Sequence, residues 1–175
     1  MRMGVPQKRE RVFFIAIRKD LVQHLPINDS ILFDDFPLLD LVFFEPLINF
    51  GEFEDNEGKP LNKDKVTYQR WLQRIYGDKS FGDITERING KGSDFNTSII
   101  YSNEPFPTTV SKGCEVKFDL PIKVSDMEYC KAGSYPTDYN FLSNKPAYLI
   151  GMSVPPVMMA QIASRIYEQW LNKLQ

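Results

Sequence analysis

The feature that most restricts the fold is the apolar run at residues 12–17, in which all six side chains are aliphatic or aromatic. A continuous run of this kind, rich in β-branched and aromatic residues, is typical of a strand that is buried on both of its faces. Such strands occur in sheets that helices cover on both sides. We therefore predict an α/β fold with this segment inside a sheet.

The main helices are predicted from periodicity and capping residues. Apolar side chains recur at helical spacing over residues 63–76, with Gly77 in the place of a C-cap glycine. Residues 125–128 have the form of a capping box, which predicts a short helix ending near Gly133. A long final helix is predicted after the prolines at 155–156, because apolar residues then recur every four positions. These are Met158, Ile162, Ile166 and Trp170.

The middle of the chain predicts shorter elements. Residues 83–89 favour a second short helix, and residues 98–101 and 108–110 favour short strands on either side of a proline turn. The acidic residues at 55–58 form a predicted loop that could separate two lobes.

Charge is strongly segregated along the chain, although the net charge is only -2. Residues 28–58 contain nine acidic residues and no lysine or arginine, whereas residues 59–92 contain eight basic and four acidic residues. A basic stretch can follow a phosphate backbone, but such runs more often form solvated faces. Lys63, Arg70 and Arg74 are spaced so that one helix could present them on one side, and we predict them as contacts to nucleic acid.

The few cysteine and histidine residues argue against a structural metal. Cys114, Cys130 and His24 are the whole set, and no CxxC spacing occurs. The apolar runs are too short to cross a bilayer, and the N-terminus has no secretory pattern. We expect a soluble, cytoplasmic protein without a metal or a membrane partner.

A basic motif stands directly before the apolar run. Residues 4–11 read Gly-Val-Pro-Gln-Lys-Arg-Glu-Arg, with Gln7, Arg9 and Arg11 alternating. This segment resembles the Gln-x-Arg-x-Arg motif of the DNA cytosine-5 methyltransferases. Taken alone, it could equally be a basic surface loop before a strand.

Further segments resemble the same family in the expected order. Residues 104–109 resemble the proline-threonine piece that often ends its recognition region, and Thr109 is a candidate DNA contact there. Residues 125–140 resemble the next motif, and residues 148–156 resemble the closing motif before a final helix. The resemblance covers nearly the whole chain.

Four positions depart from the family's pattern. Ile122 and Lys131 occupy the two arginine positions of the motif that contains Glu128, which puts the family's guanidinium contacts there in doubt. Leu149 and Met152 replace a glutamine and an asparagine of the closing motif.

The resemblance implies a partial Rossmann-like methyltransferase domain with an inserted, small mixed α+β target-recognition lobe. Residues 1–40 and 122–175 would belong to the catalytic domain, with a strand near the N-terminus and a long C-terminal helix. Residues 41–121 would form the recognition lobe, which reads double-stranded DNA.

The resemblance also implies the chemistry. The family flips the target cytosine out of the base stack, adds a cysteine thiolate to the ring and takes a methyl group from S-adenosylmethionine. Arg11 would contact the flipped base, where a fixed cation stabilises developing negative charge. Arg9 would lie beside the catalytic loop and a phosphate, and Gln7 would shape the pocket. The alternative is that these arginines only pair with carboxylates.

A minor part of the methyl-donor site is implied at the closing motif. Met152 and Ser153 would contribute to binding S-adenosylmethionine, although Ser153 could equally cap the final helix.

The family's Pro-Cys nucleophile is not in this sequence, because neither cysteine follows a proline. Its glycine-rich donor loop, which precedes the Gln-x-Arg-x-Arg motif in the family, is not in this sequence either. We expect a subunit that is inactive alone and is completed by an N-terminal methyltransferase polypeptide, as in a restriction-modification enzyme. A non-catalytic DNA-binding or regulatory module and a truncated remnant are the alternatives. The segment at 12–17 and the apolar stripe of the final helix should lie uncovered, so that the chain otherwise self-associates.

Overall fold

The computed structural model describes residues 2–25, 37–91, 97–109 and 113–174. The elements are helices α1 (Lys19–Val22), α2 (Val66–Leu72), α3 (Phe81–Asn89), α4 (Asp126–Ala132), α5 (Pro146–Met152) and α6 (Pro156–Gln169), strands β1 (Ile99–Ile100) and β2 (Val116–Lys117), and 3-10 turns at Phe50–Glu52 and Leu171–Lys173. The two strands pair in parallel, with Ile99 opposite Val116. The predicted mixed α/β class is confirmed.

Helix α6 organises the first apolar cluster. It starts on a proline at its first position, where the missing N–H has no cost, and runs for fourteen residues. Its buried residues Met158 and Ile162 pack with Met3, and the side chains of Phe13 and Phe43 lie against them. The N-terminal segment and the C-terminal helix therefore share one core.

The apolar stripe of α6 is covered, which corrects the expectation that it lies bare. Met158, Ile162 and Trp170 are all less than a tenth exposed. The indole N–H of Trp170 donates to the Leu38 carbonyl oxygen at 2.8 Å, which holds the segment at 37–44 along the helix. The extended segments at 11–17 and 37–44 thus supply the cover that we expected only from another domain.

The segment at 12–17 is extended but forms no strand, and the prediction that it is buried on both faces is wrong. Residues alternate between half-buried and exposed along it, as side chains do on an extended backbone. Val12 is 81% exposed and Phe14 is 96% exposed. One side packs on α6, but no described segment pairs with its backbone to continue a sheet.

A second apolar cluster lies around β1, β2, α2 and α3. Trp71 from α2 and the fully buried Phe81 and Ile84 from α3 pack on the strand residues Ile99 and Val116. Helix α3 confirms the helix predicted over 83–89. Ser80 caps it by accepting from the Asp83 N–H, and Gly90 ends it in the left-handed region.

The third cluster joins the two halves of the chain. Helices α4 and α5 pack together, and Phe50 and Phe106 from earlier segments lie in the same core as Tyr129 of α4. The Tyr129 hydroxyl donates to the buried Glu115 carboxylate, and burial raises the pKa of Tyr129. Because this core draws on residues both before and after 121, the division at 40 and 121 stays a prediction.

The capping box at 125–128 is confirmed. Ser125 accepts from the Glu128 N–H, and the Glu128 carboxylate accepts from the Ser125 N–H. The helix predicted over 63–76 is shorter at both ends. Helix α2 begins at Val66 and ends at Leu72, and its C-cap is Gln73 rather than Gly77. Lys63 and Arg74 therefore lie outside α2, and the prediction that one helix presents Lys63, Arg70 and Arg74 is wrong.

The stretch Pro146–Lys173 meets a length and composition criterion for a membrane span, because an 18-residue window within it has a mean hydropathy of 1.2. The structure divides it into α5 and α6 with a break at residues 153–155, and α6 packs its apolar stripe against protein. Core helices of soluble proteins meet the same criterion, so this stretch does not establish a membrane span.

Candidate active-site cleft

The basic motif at 7–11 is held in an extended conformation by the proline-threonine segment. The Lys8 N–H donates to the Phe106 carbonyl oxygen at 2.7 Å, and Gln7 forms a parallel bridge with Phe106. The Thr108 hydroxyl donates to the Lys8 carbonyl oxygen. These contacts fix the direction in which each side chain of the motif points, because successive residues of an extended chain face opposite sides.

Gln7 points into the protein. Its side chain is buried, and its amide Nε2 donates to the Thr109 hydroxyl at 2.5 Å. Thr109 is itself only 2% exposed. The structure therefore places Thr109, a predicted DNA contact, behind Gln7 as part of the motif's support.

Arg9 ties the basic motif to the closing motif. Its guanidinium Nη2 donates to the carbonyl oxygens of Gly151 and Ser153 at 2.8 and 2.6 Å, and Nη1 is 3.4 Å from Gln7 Oε1. Arg9 is 3% exposed, and burial, together with the charge of Arg11, lowers its pKa. Arginine still stays protonated in proteins, so a positive charge is fixed at the junction of two distant segments.

Arg11 lies on the same side of the extended segment as Gln7 and Arg9, but it is less buried than either. It is half-buried, and its Nη1 donates to the Glu10 carbonyl oxygen at 2.7 Å, which orients the guanidinium along its own backbone. Together with Gln7, Lys8 and Arg9, it lines a cavity of about 650 Å³. The wall of this cavity thus contains three cations, from Lys8, Arg9 and Arg11, and two carboxylates, from Glu10 and Glu104.

A second cavity, of about 490 Å³, adjoins the first. Lys8, Glu104 and Pro105 line both. Lys8 and Glu104 form an ion pair of 3.0 Å across this shared wall, but each side chain is more than half exposed. An ion pair of that exposure contributes little to stability, so the wall between the two cavities is only weakly held.

The three predicted cations after residue 60 have different surroundings. Lys63 is exposed in the turn before α2, and Arg70 is half-buried on the helix with Gln73 Oε1 at 3.4 Å. Arg74 stacks on the Trp71 ring at 3.3 Å and donates to the Phe118 and Trp71 carbonyl oxygens at 2.6 and 2.9 Å. Burial lowers its pKa. Arg74 is thus engaged within the protein, whereas Lys63 and Arg70 are the more accessible of the three.

Met152 and Ser153 lie at the end of α5. Met152 is 65% exposed, and the Ser153 hydroxyl donates to the Ile150 carbonyl oxygen at 3.0 Å, so it does not cap α6. Neither residue lines either cavity described above. That this pair contributes to binding S-adenosylmethionine therefore stays a prediction.

Sequence reasoning missed the buried ion pair that supports the third core. Lys117 Nζ lies 2.6 Å from Glu128 Oε1, and these side chains are 3% and 0% exposed. The Glu128 carboxylate also accepts from the Asp55 and Ser125 N–H groups, each at 2.7 Å. Because Lys117 lies before the motif that contains Glu128, no local pattern could have paired them.

The comparison with known families decides the identity. A family model for the C-5 cytosine-specific DNA methylases matches residues 1–168. The chain belongs to this family. No curated protein matches it. Methylases of this family act on DNA and use S-adenosylmethionine. Among the described residues, no group of His, Cys, Asp and Glu side chains could hold a metal ion.

Proposed function

We propose that this C-5 cytosine-specific DNA methylase chain is the target-recognition and base-pocket part of the enzyme, and that an N-terminal polypeptide with the Pro-Cys nucleophile completes it. The observation that supports the proposal is the convergence of the basic motif, the proline-threonine segment and the closing motif on Arg9 and Gln7. Three segments that are remote in sequence meet there, and Arg11 lines the cavity beside them.

In the proposed reaction, the cavity receives the flipped cytosine of duplex DNA. Arg11 donates to the polar edge of the base and stabilises the negative charge that develops on the ring when a thiolate adds to it. Arg9, which is locked to Gly151 and Ser153, keeps the motif in position. S-adenosylmethionine supplies the methyl group when it is bound.

The proposed partner would cover an apolar surface, here called the outer face. This surface consists of the exposed side chains of the two extended segments that point away from α6, namely Val12, Phe14, Leu38, Val42 and Phe44. Exposed apolar patches with unpaired extended backbone mark interaction or aggregation sites. The proposed partner chain would therefore bind to the outer face, and a second copy of this chain would bind there when the partner is absent.

We expect purified chain alone to transfer no methyl group to DNA. The proposed nucleophile belongs to the partner, because neither cysteine of this chain follows a proline, and burial raises the pKa of Cys130. The measurement is incorporation of radiolabelled methyl groups into duplex DNA from S-adenosylmethionine. Incorporation that scales with the amount of this chain, without another polypeptide, would refute the proposal.

We also expect the isolated chain to self-associate through the outer face. Phe14→Glu places a charge at a 96% exposed site and should shift the light-scattering mass toward the monomer. Leu142→Glu is the matched control, because Leu142 is 83% exposed but does not belong to the outer face. A wild-type chain that is monomeric at every concentration would remove the physical support for a missing partner.

A further inference from the structure

The second cavity is bordered by a loop that the protein holds rigidly. At residues 75–79, Asp78 Oδ2 accepts from the Ile75 N–H at 2.8 Å and from Arg87 Nη2 at 2.9 Å. The buried Tyr101 hydroxyl accepts from the Gly77 N–H at 3.0 Å and donates to the Asp78 carbonyl oxygen at 2.7 Å. Hydrogen bonds therefore hold the loop before and after its tip at Gly77.

The tip of this loop is open to close approach. Gly77 has a φ of 101°, which side-chain-bearing residues rarely adopt, and nothing lies within 4 Å of where a Cβ would stand. A ligand could therefore contact the loop backbone without meeting another side chain.

Beside this glycine the loop presents Tyr76 and Lys79. Tyr76 is 70% exposed, although its ring is held edge-on by Tyr101, with 5.3 Å between ring centroids. Its hydroxyl accepts from the Asn103 side-chain amide at 3.2 Å. Among the described residues, this is the hydrogen bond that the Asn103 side chain makes. Within the part of the chain that the structure describes, its carbonyl oxygen and second amide N–H have no partner.

An amide with one free donor and one free acceptor matches the edge of adenine. Its carbonyl oxygen can accept from the adenine amino group while its N–H donates to N7, the pairing through which asparagine reads adenine in the major groove. Tyr76 would fix the orientation of that amide by holding its other N–H. Asn103 itself does not line the second cavity, but its partner Tyr76 does, and so does Lys79, whose charge suits a phosphate.

We propose that Tyr76 and Asn103 read an adenine in duplex DNA next to the target cytosine, and that Lys79 contacts a phosphate there. This inference rests on the proposed function, because the second cavity, which Tyr76 and Lys79 line, adjoins the cavity assigned to the flipped cytosine. A ligand that occupies both cavities must be extended, as a DNA strand is. The adenine is thus read by Tyr76 and Asn103, and not by the side chains of α2.

The test is selection of duplexes from a random-sequence library by the full chain at low salt. The wild type should enrich adenine at one position. Asn103→Ala should remove that preference, a loss of about 5- to 140-fold in discrimination, while its affinity for random duplex changes less than about threefold. Tyr76→Phe should weaken the same preference, because it keeps the ring but releases the amide. Lys79→Gln should weaken binding to all sequences and reduce the slope of log affinity against log salt by about one.

Matched controls come from the C-terminal end of the chain. Tyr167→Phe, Asn172→Ala and Lys173→Gln change exposed residues of the same types, none of which lines either cavity, and should leave the preference unchanged. If the wild type binds duplex DNA without a preference, or keeps its preference in both Asn103→Ala and Tyr76→Phe, the inference is wrong and the proposed function stands. If the wild type binds no duplex DNA at all, the proposed function fails and the inference fails with it.

Discussion

Glu128→Gln should lower the free energy of unfolding by about 3–5 kcal/mol, because it removes the carboxylate nearest to the buried ammonium of Lys117 and leaves that of Glu54 at the longer distance of 4.0 Å. Glu128 is fully buried and lies 2.6 Å from Lys117 Nζ. Its two carboxylate oxygens also accept from the backbone N–H groups of Asp55 and Ser125. One substitution therefore disturbs β2, the acidic loop and the first turn of α4 together. Urea unfolding measures the change.

The matched control is Glu104→Gln. Glu104 also pairs with a lysine, at 3.0 Å, but both partners are more than half exposed. Its substitution should change the free energy of unfolding by less than about 1 kcal/mol. A Glu128→Gln variant that is as stable as Glu104→Gln would show that the buried pair does not hold these segments together.

A double-mutant cycle separates the charge from the packing. Lys117→Met removes the buried ammonium, so adding Glu128→Gln to it should cost less than Glu128→Gln costs in the wild type. The difference is the coupling between the two side chains. Additive losses would mean that Glu128 acts through its backbone contacts alone.

The elements that the sequence predicts correctly depend on neighbours in the chain. The capping box at Ser125 and the proline start of α6 act over one helical turn, so the residues that cause each feature stand next to it. Gly77 misled because a glycine after an apolar periodic run reads as a C-cap. Its positive φ instead serves the loop at 75–79, which Tyr101 holds from a distance of more than twenty residues.

The exposure of the side chains at 12–17 could not be predicted either, because it depends on parts of the chain that are distant in sequence. An apolar run is typical of a strand that is buried on both faces, but its actual burial depends on which other segments or chains cover it. Here α6 covers one side and leaves Phe14 exposed. The composition of the run and its exposure therefore disagree, and under the proposed function a partner chain would cover the exposed side.

The candidate site was predicted in part. The order of its motifs predicts Gln7, Arg9 and Arg11, but spacing cannot tell which arginine is buried. The distinction comes from the Gly151 and Ser153 carbonyl oxygens that accept from Arg9, and backbone carbonyl groups carry no signature in a sequence. Arg74 illustrates the same limit, since its stacking on Trp71 follows from where α2 ends.

Under the proposed function, Arg11→Ala should have the largest effect on catalysis. In the enzyme completed by the N-terminal polypeptide, removing one positioned donor from a site of developing negative charge should lower kcat by about 100- to 1,000-fold. The affinity for duplex DNA should fall far less, because most of it comes from phosphate contacts elsewhere. Single-turnover methyl transfer and equilibrium binding, measured on the same preparation, separate the two quantities.

Three variants make this experiment specific to Arg11. Arg11→Lys keeps a charge but not the planar fork of donors, and should recover only part of the rate. Arg18→Ala removes an exposed arginine of the same N-terminal segment that pairs with Asp20 and does not line the cavity, so it should leave kcat unchanged. Arg9→Ala should lower the unfolding midpoint as well as the rate, because Arg9 holds the carbonyl oxygens of the closing motif. An Arg11→Ala enzyme with normal kcat and weakened DNA binding would assign Arg11 to a phosphate and leave the base without its cation.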